Sequence, residues 1–233
     1  MKVLFVFEDQ EYSSFFVYDL ADGVNGLLRI SPEIKIKKLS LGELYMQVPI
    51  EKFLVYFSAA FSLEVKKYLI LKKADFLRGV KEAGLEDDGK MPVTVYKDFL
   101  AVKTGQSFAK GEQRLTLAEI DAYISYQIDP DGRIDVFERQ EDIIRLMKRK
   151  TVRPRLSSIT NNYGTVKEYA GSNLRLKDML KLGTGYLAKG NARMNKTNIP
   201  EFGSFTVSDD FPYQLGNIDW RKNTIKLRSE LVQ

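Results

Sequence analysis

The sequence predicts an α+β protein: a mixed or antiparallel sheet body with two or three helices over residues 1–150, and a basic, loop-rich C-terminal region, 151–233, docked on it. Three observations carry this expectation. Short apolar runs of strand length open the chain, a few segments switch to a helical period, and past Thr151 the texture turns to Ser, Thr, Asn and Gly with small apolar clusters. At 44% hydrophobic and 29% charged residues the chain is apolar enough to fold, and 233 residues bury a core without covalent staples.

In order along the chain, residues 2–7 read as a buried strand and Ser13 to Leu20 as a second. Ile30 to Leu39 alternates through Ile34 and Ile36 with Lys35 and Lys37 opposite, the pattern of a half-buried strand. From Ser62 to Ala83, Val65, Leu69, Phe76 and Val80 recur near a helical period, so a long amphipathic helix is expected there, with Gly84 as its stop. Glu86-Asp87-Asp88-Gly89 marks a loop and Val93 to Val102 a strand. Thr116-Leu-Ala-Glu119 has capping-box spacing and predicts a short helix. Ile124–Ile128 and Arg133–Phe137 flank Asp129-Pro130-Asp131-Gly132, a turn sequence that predicts a β-hairpin. Gln140 to Lys150 reads as a helix, Asn173 to Leu182 as another stopped by Gly183, residues 184–219 as irregular, and Thr224 to Val232 as a strand.

Composition excludes several chemistries. With no cysteine there are no disulfides, thiolate metal sites or Cys nucleophile, and with no histidine there is no imidazole catalysis or usual zinc site. No cofactor and no metal are expected. The N-terminal run Val3–Phe7 is too short for a signal-peptide core, and the longest nearly apolar run, Phe53 to Leu63, falls well below the roughly 20 residues of a membrane span. The expected location is therefore the cytoplasm or a virion, without secretion or membrane contact.

Charge is uneven. Residues 1–150 hold 23 basic and 24 acidic side chains, whereas residues 151–233 hold 13 and 7, so the whole excess of +5 lies in the last third. Arg145, Lys148, Arg149, Lys150, Arg153 and Arg155 place six cations in 11 residues without an acid. Such cations can displace the counterions of a phosphate backbone, and the dipole of a helix end also favours them. Lys189 and Arg193 form part of a second basic stretch, and Trp220, Arg221 and Lys222 a third, where an aromatic face beside cations suits base stacking.

Other motifs read poorly. Gly185 to Gly190 has the gap of a phosphate loop but is followed by Asn191 and Ala192. Asp129, Asp131, Gly132, Ile134, Asp135 and Glu138 resemble part of a calcium loop, yet its first position would be Gln127 and Pro130 interrupts it. Asp22, Glu33 and Lys35 have the carboxylate and lysine content of a magnesium-dependent nuclease. The leading expectation is a non-enzymatic nucleic-acid-binding protein, phage- or mobile-element-encoded, whose partner is DNA or RNA. The alternatives are a structural subunit of a virion or other assembly, with protein partners or copies of itself, and the nuclease built on Asp22, Glu33 and Lys35.

Overall fold

The computed structural model describes residues 1–20, 25–151, 170–188 and 195–231. In chain order the strands and helices begin with β1 (Lys2–Glu8), β2 (Ser14–Leu20), β3 (Asn25–Ile30), β4 (Lys35–Ile36), β5 (Leu39–Ser40), α1 (Leu41–Gln47) and α2 (Ile50–Phe61). Then come β6 (Lys67–Lys72), α3 (Lys73–Gly79), a π-helical turn (Val80–Gly84), β7 (Lys90–Val95), β8 (Phe99–Leu100), β9 (Ser107–Phe108), β10 (Gly111–Thr116), α4 (Leu117–Ile124) and α5 (Val136–Thr151). The last described elements are β11 (Ala170–Ser172), α6 (Leu176–Ala188), β12 (Asn195–Ile199), β13 (Phe205–Val207), β14 (Leu215–Ile218) and α7 (Trp220–Leu231). The fold is α+β with a mixed sheet. The described residues hold seven α-helices, five of them within residues 1–151, where the sequence suggested two or three. No helix among them is long and apolar enough to cross a membrane.

The chain divides into two compact units. The first, residues 1–71, 154–206 and 215–233, is built on a six-stranded sheet ordered β11-β6-β1-β2-β3-β12. β2 pairs antiparallel with β1 and β3, and β12 joins β3 in parallel. Alternation puts Leu4, Val6, Phe15, Val17, Leu28 and Ile30 into one core with Phe53, Leu54, Phe57 and Phe61 of α2. The rings interlock: Phe15 lies 5.4 Å from Phe53 and 5.6 Å from Tyr45, and Phe57 lies 4.9 Å from Phe61. Val3, Phe7, Phe16 and Leu27 are buried as well, so β1 and β2 are covered on both sides and read as continuous apolar runs. At the end of β1 the Tyr45 hydroxyl donates to Glu8 Oε2 at 2.5 Å; burial and then this carboxylate push the phenol well above its ordinary pKa.

The second unit is residues 72–153 and 207–214. It contains the antiparallel pair β7–β10 and the two-stranded pair β8–β9. Thr116 and Glu119 form the expected capping box at the start of α4. The amphipathic α5 buries Val136, Ile143 and Met147.

Several element expectations are overturned. The apolar run Phe53 to Phe61 is the helix, and Ser62 ends it in the left-handed conformation at φ 54. Residues 62–83 are a loop, β6, α3 and the π turn, because four consecutive apolar residues, Tyr68 to Leu71, would spread around a helix but suit a strand between lysines. The half-buried strand expected over Ile30–Leu39 is a break at Ser31-Pro32 followed by the two-residue pair β4–β5. The turn at Asp129–Gly132 is present, closed by Gly132 N–H to Asp129 O at 2.8 Å with Gly132 at φ +75, but its flanks are α4 and α5 instead of a hairpin. α6 runs through Gly183, and β12, β13 and β14 occupy the stretch expected to be irregular. α7 replaces the C-terminal strand: Asp219 caps it, accepting from the N–H groups of Arg221 and Lys222, and Asn223 and Leu227 bury at helical spacing. Much of the described part of residues 151–233 is thus strand and helix, where the sequence suggested mostly loop.

Candidate functional site

The densest charge network among the described side chains lies in the second unit, around the Asp129–Gly132 turn. Asp129 is fully buried, and its carboxylate accepts from Arg139 Nη1 at 3.1 Å and from Gln127 Nε2 at 3.0 Å, with Lys97 Nζ at 3.2 Å. The helical stripe of α5 that carries Val136 and Ile143 inward also carries Arg139 inward. Its guanidinium stacks 4.1 Å from the Phe99 ring centroid and donates to the Tyr123 carbonyl at 3.0 Å. Gln127 is fixed from both ends, since its Nε2 donates to the Leu100 carbonyl and its Oε1 accepts from the Val102 N–H.

Lys97 sits at the wetter edge of this network. Its ammonium meets Asp135 at 2.6 Å and Asp131 at 3.0 Å as well as Asp129, and its side chain is 33% exposed. Burial pulls its pKa down, but hydrogen bonding to Asp135 and Asp131 and the charge of Asp129 outweigh that, so it lies above the ordinary lysine value. For Asp131, burial pushes the pKa up and the Lys97 bond more than reverses it, leaving it below the ordinary aspartate value. Lys97 therefore remains a cation and Asp131 an anion across the physiological range. Burial raises the Tyr123 phenol to about 12, against the lowering pull of Arg139. This arrangement offers fixed, ordered charges; it does not offer a neutral lysine base.

A second knot lies in the same unit. Buried Lys73 donates to Ser125 Oγ at 2.7 Å and pairs with Asp121 at 2.6 Å, and Asp121 also holds Lys103 at 3.0 Å. Its carboxyl pKa is raised by burial and lowered further by the two lysines, for a net depression. Ser125 resembles an activated nucleophile only by proximity, because its Oγ accepts from Lys73 Nζ and donates its own proton to the Asp121 carbonyl at 2.8 Å, not to a base.

The residues selected from the sequence fall elsewhere. Arg145 is on α5 and is paired with Asp142 at 2.6 Å. Lys148, Arg149 and Lys150 lie in the last turns of α5, with side chains outside the described set, and Arg153, Arg155, Lys189 and Arg193 lie outside the described residues altogether. Trp220, Arg221 and Lys222 are consecutive and exposed in the first turn of α7, with Lys222 Nζ 3.9 Å from Asp219. Most of the basic side chains selected from the sequence thus lie outside the described set. For the nuclease set, Asp22 lies outside the described residues, Lys35 is exposed on β4, and Glu33 Oε2 accepts the Leu215 N–H at 2.5 Å. The described residues contain no group of three or more carboxylates placed to hold a metal ion.

Sequence reasoning missed Lys97, Gln127 and Arg139. A signal was available for Arg139: a charged residue on the apolar stripe of a helix must bury its charge against a partner. It was hidden because the helix was expected to begin at Gln140.

The LytR_cpsA_psr family model matches residues 45–226, more than three quarters of the chain and the whole of the Lys97–Arg139 network. The regulatory protein MsrR of Staphylococcus aureus is 24% identical over 141 residues, 58% of this chain. That match spans 42% of the staphylococcal protein's length. Among solved structures, B. subtilis TagV superposes with a TM-score of 0.67 at 18% identity, over 100% of this chain and 97% of that one. B. subtilis TagU gives 0.60 at 16% identity, over 99% and 96%.

Proposed function

Because the chain belongs to the LytR_cpsA_psr family, we propose that it acts at the cell envelope as a transferase of a cell-wall polymer. Membership of that family overturns the nucleic-acid expectation: the DNA or RNA partner, the phage or virion assignment and the nuclease alternative all give way to it. The physical reason for the error is that a cationic run is a general polyanion signal, which composition alone cannot assign to nucleic acid.

One observation carries the reading: the family-matched span encloses the ordered network of Lys97, Gln127, Asp129, Asp131, Asp135 and Arg139. In transferring a polymer, the acceptor hydroxyl oxygen forms a bond and releases its proton to solvent as the bond to the donor's leaving group breaks, and negative charge grows on the leaving group. Fixed cations stabilise such charge without reorganising during the reaction. Lys97 is the partly exposed cation that can do this, and Asp129 with Arg139 sets its position. Asp131 and Asp135 hold it from the outer side and can accept hydrogen bonds from sugar hydroxyls.

The test is transfer of a labelled cell-wall polymer from its donor to a glycan acceptor by the purified chain. The expected result is measurable product, reduced at least tenfold by Lys97→Met with the circular dichroism spectrum unchanged. Absence of product from the wild-type chain with intact substrates overturns the assignment.

A further inference from the structure

Two chain segments of the first unit that carry exposed aromatic side chains are hydrogen-bonded to each other at one junction. Phe202 is 58% exposed and Trp220 is 41% exposed. Phe202 occupies the corner of a tight turn, Glu201 to Ser204, closed by Ser204 N–H to Glu201 O at 2.9 Å, with Gly203 at φ +77 as the third turn residue requires. Trp220 opens α7. Asp219 N–H donates to Ser204 O at 2.7 Å, tying the turn directly to the residue that caps the helix.

Asn223, fully buried, locks this junction. Its Oδ1 accepts the Glu201 N–H at 2.8 Å, and its Nδ2 donates to Ser204 Oγ at 2.8 Å and to the Asp219 carbonyl at 2.9 Å. A buried amide whose bonds all go to two chain segments fixes those segments against each other. Burying an amide this way to brace a surface turn makes structural sense where what the turn carries must be presented in one geometry. What it carries is an exposed ring beside a helix that starts with another.

We propose that Phe202 and Trp220 form a binding platform for the sugar rings of a cell-wall polymer, an inference that rests on the function proposed above. The apolar C–H face of a pyranose packs on an aromatic face, and its hydroxyls need donors and acceptors around the rim. Arg221 and Lys222, both exposed, supply donors, and the Asp219 and Glu201 carboxylates flank the rings in sequence. This mixed rim suits a polyhydroxyl ligand. An anionic bilayer would call for a uniformly basic one, and stacked bases would disfavour carboxylates beside the phosphates. Because the clamp orders the turn and the helix start beforehand, little of the binding energy goes to immobilising them.

Trp220 is the sole tryptophan of the chain, so its emission reports this junction directly. Titration of the full chain with soluble N-acetylglucosamine tetrasaccharide is expected to give a saturable blue shift. Phe202→Ala should weaken that binding at least tenfold, while Met46→Ala, another exposed apolar residue on α1, leaves it unchanged. No shift with the saccharide, or equal affinity in Phe202→Ala, overturns the platform. A shift with anionic phospholipid vesicles but none with saccharide also overturns it, assigning the rings to a lipid surface. The two proposals fail separately: polymer transfer with no saccharide shift removes the platform alone, and a saturable shift without transfer removes the transferase reading alone.

Discussion

The two units reach a packed interior by different routes. In the first, Phe15, Tyr45, Phe53, Phe57 and Phe61 fill the space between sheet and helix, Glu8 stays at a strand end, and the buried guanidinium of Arg29 on β3 donates to the neutral amide of Asn198. In the second, Asp129, Arg139, Gln127 and Lys73 lie inside among Phe99, Phe108, Tyr123, Ile128 and Ile143. An apolar interior is stabilised in proportion to area and tolerates any pH; a buried ionic interior is stabilised only while every partner stays present and charged. The second unit has therefore traded robustness for a fixed charge arrangement, a cost that makes sense where the charges serve chemistry.

The sharpest way to break this comparison is to remove one side chain from each interior. Phe53→Ala should cost about 3–5 kcal/mol through lost burial and a cavity. Asp129→Ala should cost a similar ~3–5 kcal/mol for a different reason, since it leaves Arg139 buried and unpaired. Hydrogen exchange separates the two: protection should fall across residues 97–140 in Asp129→Ala and across α2 in Phe53→Ala. The double variant Asp129→Leu with Arg139→Met should recover a large part of the loss, because neither charge is then stranded. A double variant as unstable as Asp129→Ala would show that the apolar packing around the pair, and not the pairing, governs that interior.

Acidity gives the next largest contrast. Asp121 and Asp131 have depressed pKa values in the folded chain, so the stability they contribute is complete above the unfolded aspartate value, about 4, and is lost as pH falls through their folded values. Lys97 and Tyr123 are raised, so theirs is complete below about 10 and is lost as pH climbs. Protection in residues 97–140 should accordingly fail in acid before protection in α2 does. On the alkaline side, the phenolate absorbance that disappears in Tyr123→Phe should titrate near 12.

How legible each unit was in the sequence follows from the same contrast. β1 and β2 could be read because strands covered on both faces leave unbroken apolar runs, and α4 because Thr116 and Glu119 announce its start. The Val65–Val80 spacing misled because a periodic set can be picked from a run such as Tyr68–Leu71, whose strand partner, β11, begins about 100 residues later. The charge network was illegible for a related reason. Lys97 lies 32 residues from Asp129, and no local pattern says which of many lysines a turn carboxylate will meet. The junction residue Asn223 shows the same limit, being one asparagine in a polar stretch until Glu201 and Ser204 fold onto it.

The smallest expected effect tests whether the two units differ in their interiors alone. Among the described residues each contains a full capping box, Ser40 with Glu43 ahead of α1 and Thr116 with Glu119 ahead of α4. Local hydrogen bonds of this kind depend on a few consecutive residues and on neither type of core. Ser40→Ala and Thr116→Ala should each cost about 1 kcal/mol, read as a shift in denaturation midpoint at constant slope. Near-equal values would confine the difference between the units to what each has buried. A cost at Thr116 well beyond that of Ser40 would mean that α4, which carries Asp121 and Tyr123, is held in place by its cap on behalf of the ionic network, and that the network extends to the helix end.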